Sequence, residues 1–545
     1  MHWVKQRDSK IVKKYMNNKL SALIIHPSNS KKIYQELSNN YSAIEPPLWA
    51  GLLATYIRNH NFSVKIFDTE VDIDYDYLNK ARELQKNYNN TSVSFNEHTN
   101  EDFVSWKVLE LNPQLVIIPV YGQQPSASTQ LIDITKKLIK AIKSRKSWQK
   151  ILVLGNHISA LPEQSFKELE CDYIAIGEGC RTIIDLLENK PENEVRGLLF
   201  FDYAKELHSD ALSNAEAFNY YLTYGPAATN LTEKELNEEM QECAWDLLDL
   251  TKYRAHNWHC FENPDKRTPY ASIYTSLGCN FKCNFCMIHS IFNEHKMRLW
   301  SPENIVKQID KLYNEYGVRN IKIADEMFMM YKKQVHAICD LLIEKNYQDL
   351  NIWAYARIDT VREDYLPKLR KAGIKWLALG IESGSEYVRD GADKHFTEND
   401  IKEVVKGLQD SGVYVIGNYI FGLQHDTKET IENTLKLALE LNTEMANFYC
   451  AIPYPGSELY KIALDKKLPL PENWENYSQH SYGFVPMATD NLTAIEILRF
   501  RDNAFNLYFN NENYLNMIEQ KFGFKTVEHI KEMSKINLKR KLFGD

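Results

Sequence analysis

Three cysteines fall within eight residues, Cys279-Asn280-Phe281-Lys282-Cys283-Asn284-Phe285-Cys286. Thiolates at this spacing can hold three irons of a four-iron, four-sulfur (4Fe-4S) cube, because thiolate is the ligand such clusters use and a short loop can fold over one face. The fourth iron is then left without a protein ligand and can take a small molecule. The alternative is zinc, which needs four ligands in a closed tetrahedron; Cys260, His256, His259 or His289 could supply the fourth. Phe281 and Phe285 favour the cluster, since aromatic flanks exclude water from it. Residues 272–276 read as a strand, which puts the cysteines in the loop at its C-terminal end. In barrels of parallel strands that is the face where chemistry is done.

A net charge of −8 gives no support to nucleic-acid binding, which needs a basic surface. The longest apolar runs, such as residues 115–120, are strand-sized, so no membrane span is expected. The first 19 residues are rich in Lys and Asn but lack the apolar core of a signal peptide. Nine cysteines, an odd number scattered through 545 residues, fit reduced thiols and one metal site rather than a disulfide frame. A cytoplasmic location is expected.

From residue 20 to about 187, strand and helix alternate. Strands are expected at 21–25, 64–68, 115–120, 151–154 and 173–176, with a helix entered through Pro46 and Pro47. Continuous Ile, Val and Leu runs separated by helices indicate a parallel sheet covered on both faces, a Rossmann-like domain whose ligands bind beyond the strands' C-terminal ends. The loops there carry Glu45, Pro46 and Pro47; Tyr121, Gln123 and Ser126; Gly155, Asn156, His157 and Ser159; and Gly177, Glu178 and Gly179. No Gly-x-Gly-x-x-Gly and no Gly-x-x-x-x-Gly-Lys-Ser/Thr is present, so the phosphate cradles of nicotinamide dinucleotides and nucleoside triphosphates are missing. Residues 72–102 are polar and Asn-rich, a surface excursion. Residues 191–265 form a connector in which 244–254 are amphipathic and suited to domain packing.

After the cysteines the alternation resumes, with strands expected at 320–324, 351–355, 376–381, 413–421 and 447–452. With the strand before the cysteines they make six. Each ends in polar or turn residues: Asp325 and Glu326, Arg357, Glu382 and Ser383, Gly417 and Gly422 bracketing the fifth, and Pro453. Arg357, with its planar fork, suits a carboxylate. Beyond residue 469 come Trp474, Tyr477, Gln479, His480 and Tyr482, then helices to about 541. These aromatic and polar residues are either packing under a cap or contacts to substrate, with Tyr477, Gln479 and His480 the substrate candidates.

The cysteine spacing directly after a strand resembles the signature of the radical S-adenosylmethionine (SAM) superfamily, and the later strand ends extend the match over about half the chain. The four N-terminal loops look like the cobalamin-binding domain of one branch, the class B methylases. The resemblance implies an α/β chain with a Rossmann-like cobalamin-binding domain (20–190), a partial (β/α)6 TIM-type barrel (266–468) and a helical C-terminal cap (469–545), following an N-terminal tail (1–19). By the same resemblance Cys279, Cys283 and Cys286 ligate the catalytic 4Fe-4S cluster. SAM is implied to lie against Phe285, Asp325, Glu326, Arg357, Glu382, Ser383, Gly417, Gly422 and Pro453, and cobalamin against the loop residues named above. The chain departs from many cobalamin proteins in lacking Asp-x-His-x-x-Gly. His157 is then a hydrogen-bond donor near the corrin edge or simply a loop residue, and the cobalt lacks a histidine below it.

The implied enzyme is a cobalamin-dependent radical SAM C-methyltransferase acting on an unactivated carbon of a small molecule. One SAM methylates Co(I), and a second is cleaved by an electron from the cluster. The resulting 5′-deoxyadenosyl radical takes a substrate hydrogen, and the carbon radical takes methyl from methylcobalamin. An electron donor such as flavodoxin or ferredoxin is implied. Ring formation or rearrangement without methyl transfer, and a cobalamin- or SAM-binding regulator without turnover, are the alternatives.

Overall fold

The expected apolar runs form the expected strands to within two residues at their ends, except that the strand expected at 272–276 runs from Tyr270 to Ile273 and Ser276 starts a separate short strand. The computed structural model describes residues 20–74, 99–122, 124–202 and 220–545. The tail 1–19, most of the 72–102 excursion and Gln123 lie outside the described residues. Strands β1 (Ala22–His26), β2 (Val64–Asp68), β3 (Leu115–Val120), β4 (Ile151–Gly155) and β5 (Tyr173–Ala175) pair in parallel in the order 2-1-3-4-5. Two further strands, β6 (Leu198–Phe201) and β7 (Leu222–Tyr224), add to β5 antiparallel. Both come from the stretch that reads as connector, so the sheet has seven strands rather than five.

The strand order reverses between β1 and β3, and there the sheet opens. β1 pairs with β3 only from Ala22↔Leu115 to Ile24↔Ile117. Pro119 lies past that point with its nitrogen on the β1 side, so its missing N–H costs no ladder bond. Helix Leu48–Asn59 starts after Pro47 and is buried from Leu48 to Ile57. Gly51 lets the connector approach: a Cβ there would lie 1.9 Å from Cys243 Sγ, and Ala244 N donates to Gly51 O at 3.1 Å. The connector is thus packed into the seam between domains, as its amphipathic pattern suggested.

The second sheet holds six parallel strands, β8 (Tyr270–Ile273), β11 (Asn320–Ile323), β12 (Asn351–Arg357), β13 (Ile374–Glu382), β14 (Tyr414–Phe421) and β15 (Met445–Cys450), in sequence order. β8 and β15 are its two edges, so the barrel is open. Helix Pro302–Asn314 has Ser301 at its cap, accepting from Asn304 N, and Pro at its first turn. β9 (Ser276–Leu277) and β10 (Arg298–Leu299) form a separate antiparallel pair around the cysteine loop. Helix Ala494–Phe509 lies along β15: Ile497 packs on Gly422, Arg501 Nε donates to Phe448 O at 2.8 Å, and Tyr508 Oη donates to Thr443 O at 2.6 Å. The C-terminal helices therefore cover the open edge, while the loop around 474–482 crosses to the N-terminal domain. Among the described residues no helix is long and apolar enough to cross a membrane. All nine cysteines are free thiols.

Candidate active site at the cysteine loop

The cysteine loop is held at both ends and in its middle. Gly278 turns it at φ +94°, and a Cβ there would lie 2.3 Å from Lys296 O. His289 contacts Phe281 O through Nε2 at 2.7 Å and Glu294 O through Nδ1 at 3.1 Å, fastening the loop to its own return strand. Asn284 Nδ2 donates to Gly391 O at 2.8 Å. Cys279 is buried, and Cys283 and Cys286 are half-buried. Burial pushes the Cys279 thiol up to about 11 and raises the other two; Lys394 and Arg357 oppose the rise at Cys283. Metal binding reverses this, since a thiol that coordinates gives up its proton.

The four candidate zinc ligands are engaged elsewhere. His259 Nε2 meets Asn351 O at 3.0 Å, Cys260 Sγ meets Lys266 O at 3.6 Å, and His256 stacks on Trp258 and lies 3.7 Å from Glu45. His289 is taken up by its two carbonyls. Three thiols without a fourth ligand suit an iron–sulfur cube with one open iron better than a closed tetrahedron.

Of the nine residues expected around SAM, Glu326 is placed most clearly for a ligand. It lines a cavity with Trp49, Tyr121, Asn156, Tyr274 and Gly278, and its carboxylate makes no hydrogen bond among the described residues. Burial raises it to about 7, against the pull of Lys322. A ligand ammonium would supply the missing partner. Asp325 is committed to the chain: it accepts from Thr275 N (2.6 Å), Thr275 Oγ1 (2.5 Å) and Ser276 Oγ (2.7 Å). Burial still lifts it to about 6.

The expected partner of Arg357 is a ligand carboxylate, but the structure gives its fork to Asp359, both contacts at 3.0 Å. Its guanidinium also stacks 3.7 Å from the Phe281 ring centroid, and Nη1 donates to Cys283 Sγ at 3.3 Å. Arg357 thus braces the cysteine loop. Glu382 is paired with Lys394 at 2.5 Å, both buried, at a bulge where Glu382 adopts φ +66°. Lys394 also lies 6.0 Å from the centre of the Phe285 ring. Ser383 Oγ is buried beside Thr434 Oγ1 at 3.2 Å. Gly417 and Gly422 make room for protein: a Cβ would meet Tyr419 Oη at 2.7 Å and Ile497 Cδ1 at 2.8 Å. Pro453 is buried at the turn after β15.

The N-terminal loops face this region. Tyr121 stacks on Trp49 at 4.6 Å, and Trp49, Tyr121 and Tyr274 wall both the cavity at Glu326 and a second one reaching His26, Glu45, Pro46, Pro47 and Pro119. Tyr121 Oη and Asn156 Nδ2 are buried without a partner where they line the first cavity. Gly155 adopts φ +146°, and a Cβ would strike Val120 O at 2.2 Å. Orphaned polar atoms at the C-terminal ends of β3 and β4 suit a ligand carrying amide groups, so these loops fit a corrin.

Other members of the set serve the frame. Glu45 forms a buried pair with Lys322 at 3.0 Å; burial alone would raise its carboxyl, but Lys322 and His256 hold it below the usual value. Glu178 pairs with Arg298 at 2.6 Å. Ser159 Oγ accepts from Gly177 N at 3.0 Å. Gly177 and Gly179, at φ +87° and +75°, turn the backbone in the left-handed region. Ser126 opens the turn Pro125–Leu131, next to Tyr454. His157 is buried against the Trp474 edge at 4.5 Å, with Nδ1 at 3.2 Å from Thr129 Oγ1, and it lines neither cavity. Of the two roles expected for it, the loop residue is the one its position supports.

The crossing loop packs more than it reaches. Trp474 Nε1 donates to Glu168 at 2.8 Å and Ser478 Oγ to Ile33 O at 3.0 Å, both across the domain boundary. Tyr477 is buried, with its carbonyl accepting from Tyr454 Oη at 3.1 Å. Gln479 is buried with Oε1 unpartnered, and His480 lies 5.5 Å from Tyr34. The residues that sequence reasoning missed are Trp49, Tyr274, Lys322, Lys394 and Gly380. Only the Lys322 position carried a signal: a charged residue in an otherwise apolar strand.

A six-stranded parallel barrel with three cysteines in the loop after its first strand defines a radical SAM domain, and residues 273–438 match the radical SAM superfamily. The chain therefore carries a radical SAM domain over those residues. Among proteins similar to it, an uncharacterised methyltransferase of Pyrococcus horikoshii is 28% identical over 60% of this chain; the match spans 66%, just under two thirds, of that relative's own length. An anaerobic magnesium-protoporphyrin IX monomethyl ester cyclase of Rubrivivax gelatinosus is 24% identical over 91% of this chain and 78% of its own. The whole fold is shared with TsrM, a radical SAM methyltransferase of Kitasatospora setae solved with tryptophan and a SAM analogue bound. The TM-score there is 0.61 at 13% identity, covering 94% of this chain and 98% of TsrM.

Proposed function

We propose that the chain is a cobalamin-dependent radical SAM enzyme that methylates an unactivated carbon of a small molecule in the cytoplasm, drawing electrons from a carrier such as flavodoxin or ferredoxin. The observation carrying this reading is the cavity that joins Glu326 and the cysteine loop to the unpartnered Tyr121 and Asn156 of the N-terminal loops. Cys279, Cys283 and Cys286 would hold the 4Fe-4S cluster, with Arg357 bracing the loop. Glu326 would receive the SAM ammonium, and Tyr121 and Asn156 would hydrogen-bond the corrin amides. Bound together, these groups supply an electron, a 5′-deoxyadenosyl radical and a transferable methyl, which is the chemistry a non-nucleophilic carbon requires. The Trp49, Tyr121 and Tyr274 wall excludes water, which would quench such species. The test is anaerobic turnover with methyl-deuterated SAM over a panel of candidate substrates. Product carrying the label, formed with 5′-deoxyadenosine, supports the reading.

Ring formation without methyl transfer is the second reading, favoured by the similarity to the Rubrivivax cyclase along nine-tenths of this chain. It predicts 5′-deoxyadenosine with no added carbon in the product.

A further inference from the structure

The outer side of the cysteine loop is cationic on a chain whose net charge is −8. Lys282, between Cys279 and Cys283, is exposed. Lys296 is also exposed, and its carbonyl sits over Gly278 because β9 pairs with β10. Asn280 Nδ2 donates to Tyr331 Oη at 3.1 Å, which brings the start of helix Lys332–Lys345, with exposed Lys333, to the same loop. None of these three lysines forms an ion pair among the described residues. Glu294, the acidic residue of the β9–β10 connection, accepts from Asn230 Nδ2 at 2.8 Å and lies 3.8 Å from Arg298. The neighbouring Lys332 is neutralised by Asp364. None of the three lysines lines either cavity between sheet and barrel, so they are not placed to hold substrate.

Unpaired cations gathered around a redox centre, on an otherwise acidic molecule, steer a negatively charged partner to that spot. Lys282 is the sequence neighbour of Cys283, whose sulfur accepts from Arg357 Nη1 at 3.3 Å while the same guanidinium lies 3.7 Å from the Phe281 ring centroid, so a partner drawn to Lys282 meets the loop that carries the thiolates. We propose that Lys282, Lys296 and Lys333 form the docking surface of a small acidic one-electron carrier protein that reduces the cluster. The inference rests on the radical SAM reading above. One electron leaves the carrier, which is oxidised, and enters the cluster, which is reduced; no bond or proton changes hands.

The test measures binding of flavodoxin, and separately of ferredoxin, to the anaerobically reconstituted protein, at low and high salt. The K282E/K296E/K333E variant is expected to bind at least one carrier about tenfold or more weakly at low salt, with its salt dependence flattened. K282Q/K296Q/K333Q should fall between the two. Dithionite-driven SAM cleavage should be unchanged in both variants, which establishes that they fold and hold the cluster. Equal affinity and salt dependence in wild type and charge reversal would overturn the proposal, as would no binding of either carrier by the wild type. Absence of dithionite-driven cleavage in the wild type would instead count against the enzyme reading, while the affinities still report on the surface.

Discussion

Glu178 and Arg298 meet as a buried ion pair at 2.6 Å, and the same carboxylate accepts Leu231 N at 2.7 Å. The pair joins the Gly177–Gly179 turn after β5 to β10, the strand that closes the cysteine loop. Removing one partner of a buried pair leaves the other charge uncompensated, which costs about 3–5 kcal/mol. Glu178→Ala should therefore lower the urea unfolding free energy by that amount, and the E178M/R298M double variant should recover most of it. A loss below about 1 kcal/mol in the single variant would show that the pair is solvated rather than buried.

Glu326, as the proposed receptor of the SAM ammonium, predicts that SAM binding depends on pH. Burial raises its carboxyl to about 7, so below that value the folded protein holds it protonated and neutral. A ligand ammonium prefers the ionised form, so affinity should strengthen about tenfold as pH rises from about 6 to about 7.5. Equilibrium dialysis of SAM at several pH values measures this. Glu326→Gln should bind weakly with a flat profile; a wild-type profile retained in the variant would assign the titration elsewhere.

Gly380 leaves room for the Lys394–Glu382 pair. A Cβ there would lie 2.6 Å from both Glu382 Oε1 and Lys394 Nζ. Gly380→Ala should push the pair apart, costing about 1–3 kcal/mol by overpacking. It should also disturb the Phe285 side of the loop, seen as slower 5′-deoxyadenosine formation. Unchanged stability and rate would mean that the lysine swings aside at no cost.

The barrel was legible because its strands alternate regularly with helices and end in polar turns, and the cysteine spacing indicated where the chemistry lies. β6 and β7 extend the first sheet antiparallel, outside the parallel strand–helix alternation by which β1 to β5 were read. The site was legible by position but not by role. Glu45, Glu178, Glu382 and Arg357 stand at the expected strand ends, yet each is neutralised by a residue distant in sequence or, for Arg357, by Asp359 in the following turn. Sequence cannot display a pair such as Glu45 and Lys322, 277 residues apart. Trp49 and Tyr274 carry no mark of the site in sequence, because the cavity they wall is built from segments far apart along the chain.

The most direct measurement of the central claim is the metal content of the protein after anaerobic reconstitution with iron, sulfide and hydroxocobalamin, followed by desalting. The account predicts about four irons and one cobalt per chain, with the iron lost and the cobalt kept in the C279S/C283S/C286S variant. Zinc in place of iron, or iron that persists in that variant, would contradict it.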